Sequence, residues 1–108
     1  MLKKSLQDHS CTVYVAEVAE KIVGFIEMRV FPDFAEGMPI AIIQNLIVKE
    51  DYRKLGIGSK LIQKANETAE KQNVAEIHVW TEFNNQQAID FYTKHGFKKK
   101  ALLLEKET

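Results

Sequence analysis

The segment that most constrains the fold begins at Ile40. The nonapeptide IAIIQNLIV (Ile40–Val48) is nearly all apolar, as expected of a central strand covered on both faces. A polar turn follows, and from Ile57 onward the apolar positions are Ile57, Leu61, Ile62, Ala65 and Ala69, the spacing of one helical face. Lys60, Lys64, Glu67 and Lys71 fill the other side, with Glu67 and Lys71 four apart in the favourable order for an ion pair. The helix ends near Gln72 and Asn73, and AEIHVWT (Ala75–Thr81) reads as another strand. Strand, helix and strand in immediate succession require a parallel pair joined by a right-handed crossover.

Around this unit the pattern is antiparallel. Thr12–Val18 and Ile22–Val30 are rich in β-branched and aromatic residues and read as a hairpin joined by Ala19, Glu20 and Lys21. In the second strand Ile22, Gly24, Ile26, Met28 and Val30 share one face. Phe31–Pro39 holds both prolines and a glycine and reads as a loop. Beyond the crossover, Asn84 and Asn85 are good helix N-caps, and Gln87 lies three beyond Asn84 as in a capping box. A helix over Gln86–His95 stops at Gly96, and Lys98–Glu105 reads as a last strand. The expected fold is α/β (α+β): a mixed, mostly antiparallel sheet with one central strand–helix–strand crossover. The 108 residues predict a single domain, 1–108.

Fifteen basic and fifteen acidic side chains cancel, which gives no support to a nucleic-acid footprint. No apolar run reaches membrane-spanning length, and MLKKSLQDHS lacks the apolar core of a signal peptide. Cys11 is the only cysteine, so neither an internal disulfide nor a multi-cysteine metal site is expected, which suits a reducing cytoplasm.

The turn between strand and helix, VKEDYRKLGIGSKLI (Val48–Ile62), points to chemistry. A helix start leaves several backbone N–H donors unpaired, and the helix dipole places partial positive charge there. A phosphate fits such a site. Gly56 and Gly58 lack Cβ atoms and let a ligand approach the backbone, while Arg53, Lys54 and Lys60 add charge. A Walker loop needs four residues between its glycines and a Lys-Ser/Thr pair after the last, and this turn has neither. A dinucleotide fingerprint needs Gly or Ala where Leu61 stands.

Arg53-Lys54-Leu55-Gly56-Ile57-Gly58 resembles the coenzyme A pyrophosphate loop, Arg-x-x-Gly-x-Gly, of the GNAT family of N-acetyltransferases. NQQAIDFYTKHGF resembles the family's second motif, with Asn85, Ala88, Phe91, Tyr92, Gly96 and Phe97 in order and spacing. The resemblance spans about Thr12 to Leu104 and implies a GNAT-like acyl-coenzyme A N-acyltransferase fold with acetyl-coenzyme A as cosubstrate. It implies a splay between Ile40–Val48 and Ala75–Thr81 into which the pantetheine arm slots, pairing with the main chain of Leu46, Ile47 and Val48. The pyrophosphate would lie on the N–H groups of Leu55, Gly56, Ile57, Gly58 and Ser59, beside Lys54. Arg53 either contacts phosphate or holds the loop. Asn85 resembles the asparagine near the coenzyme arm and reads equally as an N-cap.

By the same resemblance Tyr92 protonates the departing thiolate, Phe91 serves the core, and the Ile47 N–H steadies developing negative charge. Many relatives carry a glutamate at or near Gln44 and Asn45, where this chain has no base. Glu82 could relay a proton through water or stand as a strand-end charge. His78 reads as structural or surface, Trp80 as core, and Lys98–Lys100 as a solvated edge. Phe31, Phe34 and Met38 either line an acceptor pocket or cover the core.

Met1–Cys11 leaves room for one or two helical turns where the family has a strand and two helices. A truncated chain, a second subunit supplying the missing wall, or coenzyme binding without efficient transfer would each account for that. The expected partners are a small-molecule or peptide amine acceptor and a second copy in a homodimer, with no nucleic acid, membrane or metal. Direct transfer is expected because Cys11 lies far from the motifs. The alternative is a non-catalytic acyl-coenzyme A-binding sensor or subunit.

Overall fold

A computed structural model describes residues 2–7, 10–32 and 37–108, with no side-chain placement for 5–7. Phe34 lies outside the described residues. The elements are β1 (Leu2–Gln7), β2 (Cys11–Val18), β3 (Lys21–Phe31), β4 (Ile40–Val48), a 3₁₀ turn (Glu50–Tyr52), α1 (Ile57–Lys71), β5 (Glu76–Val79) and α2 (Gln86–Lys94). The strands form one five-stranded sheet in the order β1-β2-β3-β4-β5. All neighbours are antiparallel except β4 and β5, the parallel pair that the crossover through α1 requires.

The hairpin joining β2 to β3 turns through only two residues. Ala19 and Glu20 both take left-handed φ, 51° and 67°, the geometry whose twist matches paired strands. Neither residue is glycine or asparagine, so the turn costs on the order of 1 kcal/mol per residue. The pairing of β2 with β3 and the core beneath it offset that.

The core lies between β2–β4 and α1. Tyr14 and Ala16 of β2, Val23, Ile26 and Met28 of β3, and Ala41 and Ile43 of β4 bury against Leu61, Ile62, Ala65 and Ala69 of α1. Leu61 and Ile62 are fully buried, each contributing roughly 1.5–3 kcal/mol. Ala65 and Ala69 keep the helix close to the sheet. The Tyr14 hydroxyl, which would be costly to bury alone, hydrogen-bonds Thr68 Oγ1 at 2.7 Å.

Several expectations are corrected. Leu2–Gln7 is a strand paired with β2 rather than a helical turn. A register shift makes Val23 the buried residue of β3 and leaves Ile22 54% exposed. β4 is covered on one face only: Ala41 and Ile43 are buried, while Gln44, Asn45 and Ile47 are exposed. Lys98–Glu105 forms no strand, and Leu102, Leu103 and Leu104 are exposed. The free edge of β5 is only four residues long, and three consecutive leucines cannot share one face of a strand. Trp80 is exposed rather than core. Lys64 pairs with Glu67 at 3.8 Å in place of the expected Glu67–Lys71 pair. Of the two N-cap candidates it is Asn85 that caps α2, as one of its two readings had it.

Gly24 sits where β3 approaches β4 most closely: a Cβ there would lie 2.9 Å from the Ile47 carbonyl oxygen. That oxygen belongs to main chain and cannot swing aside. Gly24→Ala is expected to cost about 1–3 kcal/mol, measured as a lowered urea midpoint at unchanged slope.

Candidate functional site

The parallel pairing of β4 with β5 ends at Ile43–Val79. On the other side of β4 the ladder skips one residue. Met28 faces Ile43 and Glu27 faces Asn45, so Gln44 is the extra residue of a bulge. A bulge bends its strand, and beyond it β4 continues to Val48 with no strand partner on the β5 side among the described residues. The divergence opens a cleft of about 460 Å³, within the size range of small-molecule sites. Ile43–Ile47 form one wall, Val79–Glu82 the other, with Asn85, Ala88, Tyr92 and Leu103 closing the ends.

At the C-terminal end of β4 the chain enters the glycine turn. Arg53 Nε donates to the Val48 carbonyl at 2.9 Å, so this side chain braces the loop against the strand. Lys54 and Gly56 both take left-handed φ, 65° and 83°, which turns the chain sharply into α1. The first hydrogen bond of the helix runs from Lys60 N to Gly56 O at 3.0 Å, and no side chain caps the helix start. The N–H groups of Ile57, Gly58 and Ser59 therefore have no intrahelical acceptor. Lys54, Leu55 and Gly56 are exposed beside them.

The two glycines differ in what they do. A Cβ on Gly56 would meet nothing within 4 Å, so its backbone conformation is what calls for glycine. A Cβ on Gly58 would lie 3.3 Å from the Phe91 ring, so glycine there lets α2 pack on α1. Sequence reasoning assigned both to ligand approach. A second tie joins the same elements, because Ser59 Oγ hydrogen-bonds His95 Nε2 at 3.0 Å.

Asn85 Oδ1 accepts from Ala88 N at 3.1 Å, which makes it the cap of α2, and it also lines the cleft. Tyr92 stands one turn further along. Its ring meets Phe91 and Phe97 edge-on at 5.3 and 5.6 Å, an arrangement that fixes the phenol on the core side of the cleft. Burial pushes the Tyr92 hydroxyl above its ordinary pKa of 10.0. It makes no hydrogen bond among the described residues. Glu82 lines the cleft, and its exposed carboxylate has no hydrogen bond or ion pair among the described residues. His78 pairs on the surface with Glu76 at 3.0 Å.

Trp80 and Leu103 at the cleft were missed by the sequence reading. So was the position of Glu27, whose Oε1 accepts from Asn45 Nδ2 at 2.7 Å on the face away from α1. Strand alternation places Glu27 on that face, but only the register brings it to the bulge. Among the described residues no cluster of three or more His, Cys, Asp or Glu side chains could hold a metal ion, and no helix is long and apolar enough to cross a membrane.

A profile of the Acetyltransferase (GNAT) domain matches residues 9–99. The chain is 35% identical over 91 residues to MJ1207, an uncharacterized N-acetyltransferase of Methanocaldococcus jannaschii, covering 83% of this chain and 40% of that protein. It is 31% identical over 105 residues to an N-alpha-acetyltransferase of Sulfurisphaera tokodaii, covering 91% and 63%. The chain thus spans less than two thirds of the length of these relatives. The crystal structure of the aminoglycoside acetyltransferase meta-AAC0020 from a soil metagenomic sample, in complex with trehalose, superposes with a TM-score of 0.83 at 26% identity, covering 95% of this chain and 69% of that one.

Gly58→Ala and Phe91→Leu should be energetically coupled, because the added Cβ lies 3.3 Å from the Phe91 ring and the smaller side chain relieves that contact. A double-mutant cycle by chemical denaturation checks the coupling.

Proposed function

The chain belongs to the acetyltransferase (GNAT) domain family, and from that premise we propose that it moves an acetyl group from acetyl-coenzyme A to a primary amine by direct transfer. The observation that carries this reading is the unpaired β5-side edge of β4, which starts beside the glycine turn and runs back to the bulge at Gln44. An extended chain with amide groups can add to such an edge as a strand would. Its pairing groups are the main chains of Leu46, Ile47 and Val48. The anionic end of the ligand then falls on the helix start, where the N–H groups from Leu55 to Ser59, the α1 dipole and Lys54 favour a diphosphate. Arg53 keeps that turn in register with β4.

Acetyl-coenzyme A supplies an activated thioester. The protein contributes position and protons. Tyr92 lies at the cleft with its hydroxyl uncommitted to other described residues, and its raised pKa keeps it protonated at neutral pH. It can therefore donate to a sulfur that becomes negative, a hydrogen bond that strengthens as charge develops. Asn85 orders the start of α2 and so fixes where Tyr92 stands. The sequence-derived candidate for taking the amine's proton is Glu82, through a water at the rim. A small-molecule or peptide amine is the proposed acceptor, in keeping with relatives named as N-alpha- and aminoglycoside acetyltransferases.

The sheet face away from α1 carries Val15, Phe25 and Ile47 in a row, with no helix over it among the described residues. On this ground we take a homodimer as the working assembly. The same open face favours a second reading, a non-catalytic acyl-coenzyme A-binding subunit.

Acetyl-coenzyme A at one hundred times its dissociation constant should stabilise the protein by about 2.7 kcal/mol, a melting shift on the order of ten degrees. ATP or NAD in its place should give none. Tyr92→Phe should keep that shift while lowering kcat about 100-fold; an unchanged kcat would dismiss the proton-donor role. Because burial raises the Tyr92 pKa, the donor is protonated at neutral pH and is lost as pH climbs through the higher folded-state value. An alkaline fall in kcat that belongs to Tyr92 should therefore have its midpoint above pH 10.0 and be absent from the Phe variant.

A further inference from the structure

A side-chain network on the outward face of the sheet meets the cleft at the bulge. Glu27 Oε1 accepts from Asn45 Nδ2 at 2.7 Å, and Glu27 Oε2 accepts from Arg29 Nη2 at 3.2 Å. Arg29 Nε in turn donates to Gln44 Oε1 at 2.8 Å. The register explains the meeting: Glu27 lies directly across from Asn45, and Gln44 is the residue that the bulge adds. An ordinary surface ion pair would need only Glu27 and Arg29. Here the bonds continue into Gln44 and Asn45, both of which line the cleft. The carboxylate is thereby held in place at the point where β4 leaves β5.

The direction of approach matters as much. The glycine turn, α1 and Tyr92 lie toward the core side, and a ligand running from the turn along β4 brings its far end to the bulge. The opposite face, which carries Glu27, has no helix over it among the described residues, and that leaves the bulge open from this side. Glu82 is the other carboxylate nearby, but no described residue holds it in place. A group already oriented loses less conformational freedom when it acts.

We propose that Glu27, supplied by β3 rather than by the bulged strand, is the proton acceptor for the incoming amine. The proposal rests on the acetyl-transfer reading above. Glu27 takes one proton from the ammonium and passes it to solvent. The freed nitrogen bonds to the thioester carbonyl carbon, the carbon–sulfur bond breaks and the sulfur takes the Tyr92 proton; the second nitrogen proton leaves the adduct through solvent and restores Tyr92. Such a base extends the acceptor range to strongly basic amines. A lysine-type amine, with a pKa of about 10.4, is free at pH 7 in only about one molecule in 2,500, against roughly one in ten for an α-amine. Among the described residues, charged groups that strand alternation places on this face include Arg29, the Lys3–Glu17 pair across β1 and β2, and the Glu76–His78 pair on β5.

The test compares the wild type with Glu27→Gln, Glu82→Gln and Asn45→Ala. Melting is followed with acetyl-coenzyme A alone, and kcat/KM is followed against pH with spermidine, sisomicin, a lysine peptide and a peptide α-amine. With a base present, log kcat/KM should be flat from neutral pH to the amine's own pKa. In Glu27→Gln it should climb with unit slope over that range, and kcat/KM at pH 7 should fall by about the ratio of total to free amine, on the order of 2,500-fold for a lysine-type acceptor. Its melting shift with acetyl-coenzyme A should match that of the wild type. Asn45→Ala retains the carboxylate without its aim, so it should lower kcat while leaving the profile flat; it also serves if Glu27→Gln fails to fold, and an unchanged kcat there counts against the proposal. A flat, undiminished profile in Glu27→Gln, or unit slope in Glu82→Gln instead, overturns the assignment and leaves the acetyl-transfer reading standing. A wild type that acetyl-coenzyme A does not stabilise, and that acetylates none of the four amines, defeats both. Stabilisation without transfer to any of them overturns the Glu27 assignment and favours the binding subunit.

Discussion

The burial of one face of α1 against β2, β3 and β4 is the constraint on which the rest depends. Leu61, Ile62, Ala65 and Ala69 leave water only if the helix lies along the sheet, and the right-handed crossover then fixes β5 beside β4. Once those two strands are parallel neighbours, the turn at Gly56 must lie at the C-terminal end of β4, with the helix's free donors beside it. The glycine turn is thus held in place by the same packing that holds the fold together. Gly58 shows this most directly, because its missing side chain is filled by the ring of Phe91 from α2.

The cleft arises from a limit on that packing. β4 and β5 pair over four residues each, after which the Gln44 bulge bends β4 away. An unpaired strand edge is ordinarily a liability. In this chain it lies next to a helix start lacking a side-chain cap, and under the proposed function one extended ligand with an anionic end would satisfy both deficits. The aromatic contacts of Tyr92 with Phe91 and Phe97 set the opposite wall, so the position of the Tyr92 hydroxyl and its raised pKa share a cause: partial burial against the core.

Much of the fold and part of the site could be read along the chain. Ile40–Val48 formed a strand with the expected bounds, α1 began at Ile57, and Gly96 took the left-handed conformation expected after α2. The two family motifs come together in space through the Gly58–Phe91 contact. Leu2–Gln7 escaped notice because a strand of mixed polarity shows no clean period until its partner, β2, is in place. Trp80 looked like core from composition and stands exposed, since β5 stops at Val79 and no strand covers the edge beyond it.

What the sequence determined by itself are the features that act over a few residues: the alternation that makes strands, the helical stripe from Ile57 to Ala69, the glycines that permit left-handed turns, and the motif spacing. Tertiary structure alone decided which of those features meet. The bulge at Gln44, the exchange of Ile22 for Val23 in the core and the meeting of Glu27 with Asn45 all follow from register between strands. Register is a balance of contacts between residues distant in sequence, and a slip of one position reverses every side chain on a strand. Local spacing therefore names the parts of the site, and only the assembled sheet brings them to its cleft.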